Sequence, residues 1–264
     1  MRSLDFGRYA LTSCVATAML AGCGGSQPPI DAPGAMPQTS AIATHAERGK
    51  SWILPEAKSE DLLYASSGRT IVSVFNYRTG KLVGTLSGFS GADGECVDKT
   101  GDVFITNTDE SAVLEYSHGS TTPINTLSDP GYEPYGCSVD PTTGNLAVSN
   151  FDGGSVAVYS DAQGDPTVYS IPEVDVQFCG YDNSGNLFID GLGHSFAFEL
   201  FELPRGSGTV LNISLNQNPW PGPIEWDGKH LALGYGGSNS NDVVIYQLSV
   251  SGSTATVVGS TSVA

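Results

Sequence analysis

The sequence predicts an all-β chain built as a β-propeller of four-stranded antiparallel blades. Three observations carry this expectation. An aspartate-glycine turn recurs at Asp98, Asp140, Asp182 and Asp227, spaced 42, 42 and 45 residues apart. Each turn is followed by a short apolar strand such as Val103-Phe104-Ile105 or Leu187-Phe188-Ile189. No helical periodicity appears anywhere in the mature domain. Four short strands per unit of 40–50 residues is the pattern of a propeller blade. A β-sandwich is the competing fold, but it does not require a fixed period.

The first 22 residues read as a secretory signal. Arg2 and Arg8 precede an apolar run of about a dozen residues, too short to span a bilayer. Leu20-Ala21-Gly22-Cys23 resembles a bacterial lipobox. That resemblance implies cleavage before Cys23 and lipidation of its sulfur and new amino terminus, which anchors a domain durably because each buried CH2 contributes about 0.8 kcal/mol. Gly24 follows, with no Asp to imply inner-membrane retention, so the expected location is the cell envelope on the outer membrane. Residues 23–50 are rich in Gly, Pro, Ser, Ala and Gln and read as a flexible tether. Residues 51–264 form the propeller domain.

Within that domain the repeats align strand by strand. The inner strands precede the aspartates, with Gly94, Gly136 and Gly180 where backbones converge on the axis. Third strands fall at 111–117, 154–160, 195–203 and 242–249, and fourth strands at 123–128, 166–171, 209–214 and 255–260. The same order appears earlier at 61–67, 70–76 and 81–87, with 51–56 supplying the first strand. Asp in such a turn bonds its own backbone and Gly accepts a positive φ, so the four aspartates are turn residues rather than metal ligands. Five blades are countable. The alternatives are a closed five-bladed ring and a six-bladed ring lacking one blade, of which the second is preferred.

Composition excludes several functions. The chain has 28 acidic against 11 basic side chains, a net charge of -17. A phosphate-binding face needs Lys and Arg, so nucleic acid is not expected as a partner, and the membrane is met only through the lipid anchor. No G-x-S-x-G, phosphate loop, H-E-x-x-H or C-x-x-C is present. His45, His118, His194 and His230 fall at different places in the repeat and read as structural or solvated. Three cysteines remain after the anchor: Cys96, Cys137 and Cys179. Cys137 and Cys179 occupy equivalent inner-strand positions, where a disulfide between them is conceivable, although small buried cysteines are the simpler reading.

The run from Glu133-Pro134-Tyr135-Gly136 through Asn145 and Val148 resembles the NHL-type blade and the related SMP-30-like sugar-lactonase propellers, over residues 51–264. The lactonase resemblance implies a divalent cation such as calcium on the central axis, held by Glu, Asn and Asp, with a Glu in the first inner strand. Glu56 in Leu54-Pro55-Glu56-Ala57 is the nearest counterpart, in a different context, and the other ligands have none. No cofactor is therefore expected, and a metal-dependent hydrolase stands as the alternative function. The main expectation is a non-catalytic binding or interaction module. Its site is the face formed by the loops entering the inner strands at 87–95, 128–136, 172–178 and 218–226. There Phe89, Tyr132, Tyr135 and Trp220 stand with Glu95, Glu133 and Asp175. Aromatic platforms beside acidic acceptors suit a small-molecule, carbohydrate or protein ligand.

Overall fold

A computed structural model describes residues 49–67, 69–236 and 243–263. The signal segment, Cys23 and the tether up to residue 48 lie outside the described residues. Among the described residues, twenty strands group into five successive modules. Module one holds β1 (Trp52–Ile53), β2 (Leu62–Ser67), β3 (Ile71–Asn76) and β4 (Leu82–Ser87). Module two holds β5 (Ala92–Val97), β6 (Val103–Asn107), β7 (Ala112–Tyr116) and β8 (Asn125–Ser128). Module three holds β9 (Pro134–Val139), β10 (Leu146–Asn150), β11 (Ser155–Tyr159) and β12 (Thr167–Ser170). Module four holds β13 (Val174–Tyr181), β14 (Leu187–Gly193), β15 (Phe198–Leu203) and β16 (Leu211–Leu215). Module five holds β17 (Ile224–Trp226), β18 (Leu231–Gly236), β19 (Val243–Ser251) and β20 (Thr254–Val263).

In modules two to five, consecutive strands pair antiparallel in chain order. The first strands β5, β9, β13 and β17 are neighbours in sequence order, and β2 lies beside β5. All five border one cavity. The arrangement is propeller-like. Backbones approach closely at the axis because glycine permits it. A Cβ on Gly94 would collide with the Tyr135 carbonyl, and one on Gly180 with the Ile224 carbonyl.

The turn expectation is met. Asp98 Oδ1 accepts the amides of Thr100 and Asp102, and Asp182 Oδ1 those of Ser184 and Asn186, all at 2.8–2.9 Å. Asp140 and Asp227 do the same for Thr142 and for Lys229 and His230. The paired glycines Gly101, Gly144, Gly185 and Gly228 all have positive φ.

Module one departs from the expected order. Residues 51–56 do not supply an inner strand. Trp52 pairs with Thr85, so β1 closes the outer edge beyond β4 and leaves β2 innermost. Pro55 has no amide to donate and opens a 3-10 turn at Pro55–Ser59, which stops the strand after two residues. Moreover, β2 runs against β5. The Arg69 carbonyl, just past the end of β2, accepts the amides of Gly91 and Ala92 at the start of β5, both at 2.8 Å.

Side-chain alternation seals the modules. In β6, Val103 and Ile105 pack back on Val72, Val74 and Leu86 of module one, whereas Phe104 packs forward on Leu146 and Val148 of module three. Ala147 and Phe188 repeat the forward role of Phe104 in their own modules, against Leu187 and Ile189 and against Leu231 and Leu233. Among the described residues no apolar cluster joins module five to module one. Val243 and Ile245 on one side, and Leu63 and Ile71 on the other, are exposed.

A polar side chain also bridges three seams. Thr106 Oγ1 accepts the Gly94 amide at 2.8 Å and donates to the Tyr135 carbonyl at 2.9 Å. Ser149 Oγ accepts the Gly136 amide at 2.8 Å and donates to the Gln177 carbonyl at 2.6 Å. Asp190 holds the corresponding position and accepts at both ends, from Phe178 N and Gly222 N, each at 3.0 Å.

The cysteine pairing differs from the sequence expectation. Cys96 and Cys137 form the disulfide, with Cα atoms 5.7 Å apart, and Cys179 is a buried thiol. Strand alternation explains this. Cys137 and Cys179 share a repeat position, so both point back to the preceding module, as their contacts with the Phe104 and Ala147 carbonyls show. Cys96 sits one residue later in the repeat. That offset turns it forward, into Cys137.

Candidate functional site

The loops entering the inner strands carry unusual backbone. Tyr132 and Glu133, just before β9, have φ of +63° and +51°, and Glu173, just before β13, has +67°. At the same entry to β5 stands Gly91, with φ +91°. An L-residue in this region is strained by about 1 kcal/mol where glycine is not. Tyr132, Glu133 and Glu173 are nonetheless held there, with exposed side chains.

Around Glu173 the loops of modules three and four form a shallow site of about 420 Å³. Asp152, Glu173, Asp175, His194 and Phe196 line it. His194 Nε2 lies 3.9 Å from Glu173 Oε2. Phe196, with φ +55°, is 71% exposed. His194 and Phe196 come from the turn between β14 and β15, which composition alone does not mark as functional.

The remaining predicted residues separate into four environments. Trp220 is exposed on its loop. Tyr135 is half-buried and packs on Phe151 and Phe178, with ring centroids 5.9 and 5.4 Å away. Phe89 does not reach the loop face as expected. It is 6% exposed and packs against Tyr116, because the chain turns inward there to seal modules one and two.

Glu95 also leaves the loop face. It lies within β5 and lines the cavity on the axis. Its position in the repeat is that of Cys137 and Cys179, so it points back toward β2. Burial pushes its carboxyl up to about 7, against the opposing pull of Ser66. The cavity measures about 410 Å³, and Leu63, Tyr64, Cys137, Tyr181, Glu225 and Trp226 share its wall.

Among the described residues, no group of three or more His, Cys, Asp or Glu is placed to hold a metal ion. Glu56 is exposed in the turn after β1 rather than in an inner strand. His118 Nε2 is 3.0 Å from the Glu60 carbonyl, and His230 Nδ1 is 3.6 Å from Asp227 Oδ2.

No family model and no curated protein matches this sequence. Among solved structures, the chain is similar to the hydrazine synthase of Kuenenia stuttgartiensis, a protein that contains a β-propeller. The TM-score is 0.55 at 15% identity, over 67% of this chain and 51% of that one. The likeness shows the fold alone. This chain spans about half the length of that structure.

Proposed function

We propose that the protein is a lipid-anchored, non-catalytic binding module of the bacterial cell envelope, which holds a cationic peptide segment on its loop face. The observation that carries this reading is the pair Glu133 and Glu173. Each stands in a backbone conformation that favours glycine, at a position where module two uses Gly91. Strain retained with an exposed acidic side chain points to selection for a ligand rather than for stability. Asp152 and Asp175 extend the acidic surface, while Tyr132, Phe196 and Trp220 offer exposed rings. The anchor rests on the lipobox-like Leu20–Cys23 run. The exposed faces of modules one and five support a six-bladed ring that lacks one blade. The repeat fits the NHL-type pattern, and the SMP-30-like hydrolase reading gains no support from the surface position of Glu56.

Anisotropy titration with a labelled octalysine peptide tests the loop face. Saturable, salt-sensitive binding is expected, together with at least a fivefold loss in the Glu133→Gly/Glu173→Gly variant, given roughly 0.5 kcal/mol or more per lost ion pair. Equal binding by the variant, with its fold intact, would remove the loop face as the site. Palmitate labelling in the bacterial host tests the anchor, and Cys23→Ser should abolish it.

A further inference from the structure

The axial cavity is separate from the loop face. The inner strands β5, β9, β13 and β17 each begin at an entry loop and end at an aspartate turn, and the cavity is lined by residues of that second end: Gly101, Pro141, Asn183 and Trp226. Its size lies within the range of small-molecule sites. The lining includes two carboxylates, Glu95 and Glu225, and no Lys or Arg. Tyr64, Tyr181 and Trp226 supply aromatic surface, which attracts cations. Among the described residues, two polar atoms of the lining also lack a hydrogen-bond partner: Glu95 Oε1 and Trp226 Nε1. Buried polar atoms are ordinarily paired, so each such exception calls for an explanation. The first calls for a donor and the second for an acceptor.

We propose that this axial cavity is a binding site for a small organic amine that also carries neutral hydroxyl groups, the class of amino alcohols and amino sugars. The ammonium meets Glu95, with Glu225 at the rim, and a hydroxyl oxygen accepts from the Trp226 indole. A carboxylate-bearing ligand is disfavoured, because the lining offers no Lys or Arg to receive it. Binding follows pH through the ionisation of Glu95. The charged or titratable groups around it are Tyr64 of β2, Asp93 of its own strand with Arg69 beside it, His118 of the β7–β8 turn, Tyr181 of β13 and Glu225 of β17.

The test uses N-methylglucamine, which stays protonated near neutrality, and sorbitol, its uncharged counterpart, in calorimetric titrations of the full chain. N-methylglucamine is expected to bind at least tenfold more tightly than sorbitol. Its affinity should rise about tenfold from pH 6 to pH 8 as Glu95 ionises. Glu95→Gln should erase both the preference and the pH dependence. Trp226→Phe, which keeps an aromatic ring and removes the N–H, should weaken binding about fivefold. In the unaltered protein the Trp226 indole N–H resonance should shift on binding, a readout that does not depend on any variant folding. Equal binding of the two polyols, no binding of either, or an unchanged affinity in Glu95→Gln would overturn the proposal. The loop variant Glu133→Gly/Glu173→Gly should bind N-methylglucamine normally. Loss there instead would place the amine on the loop face and defeat the cavity assignment while leaving the loop-face reading standing.

Discussion

The seam between modules two and three and the seam between modules four and five hold the same kind of sheets together by different chemistry. At the first, Cys96 and Cys137 form a covalent link and the Thr106 hydroxyl gives its proton to a neighbouring carbonyl. At the second there is no disulfide. The sheets instead merge at their outer edge, where Ser214 and Leu215 of β16 pair in parallel with Thr254 and Ala255 of β20. Asp190 replaces the hydroxyl, and it accepts from the neighbour's amide instead of donating to its carbonyl. A hydroxyl can serve either polarity, whereas a carboxylate with two amide donors can only accept. The difference teaches that the bridging side chain follows whichever backbone group the next module presents.

The largest effect is expected at the covalent seam. Closing a loop of 41 residues corresponds to about 4 kcal/mol in the chain-entropy account. Cys96→Ala/Cys137→Ala should lower the urea midpoint accordingly. Asp190→Ala should follow, at about 3 kcal/mol, because it leaves two buried amides without acceptors. Ser149→Ala, which strands one amide and one carbonyl, should lose about 2 kcal/mol in the same assay. If Asp190→Ala proves no more damaging than Ser149→Ala, accepting a second amide at Asp190 adds nothing and the contrast between the seams narrows to the disulfide.

Titration sharpens the same contrast. Burial raises the pKa of Asp190, and it lifts Asp129 to about 6 and Glu95 to about 7. For each, the stabilising contribution is complete below the unfolded-state value and is lost as pH rises through the folded-state value. Urea midpoints should therefore fall between about pH 4 and pH 8. Glu95→Gln should flatten the upper part of that slope by at most about 3 kcal/mol. The smallest expected change lies outside both seams. Glu133→Gly should raise stability by about 0.5 kcal/mol, the relief of left-handed strain less the entropy of an added glycine.

Much of this architecture is legible in the sequence because it is local. The aspartate turns, their glycines and the alternation of strands such as Val103–Asn107 are all set by neighbours in the chain. The outer placement of Trp52–Ile53 is not local, since it depends on pairing with Thr85 rather than on anything within residues 51–56. The disulfide was within reach: counting strand parity from Asp98 and Asp140 turns Cys96 and Cys137 toward each other. The bridging position was visible too, as a polar residue inside an apolar strand at Thr106, Ser149 and Asp190. The loop residues Tyr132, Glu133, Asp175 and Trp220 are exposed as their loops suggest. Phe89 and Glu95 are not, because burial there is decided by the adjoining module, which no local pattern reports.

The parity that Cys179 shares with Cys137, and that keeps the two from pairing, also supplies a handle for engineering. Burial lifts the Cys179 thiol to about 12, so it stays inert. Ser138 occupies, one repeat later, the place of Cys96, and its hydroxyl already receives the Tyr181 amide at 3.1 Å. Ser138→Cys would set a sulfur opposite Cys179 in the relation that Cys96 bears to Cys137. One exchanged atom would then hoop three consecutive sheets, and loss of the Cys179 thiol would report the cross-link.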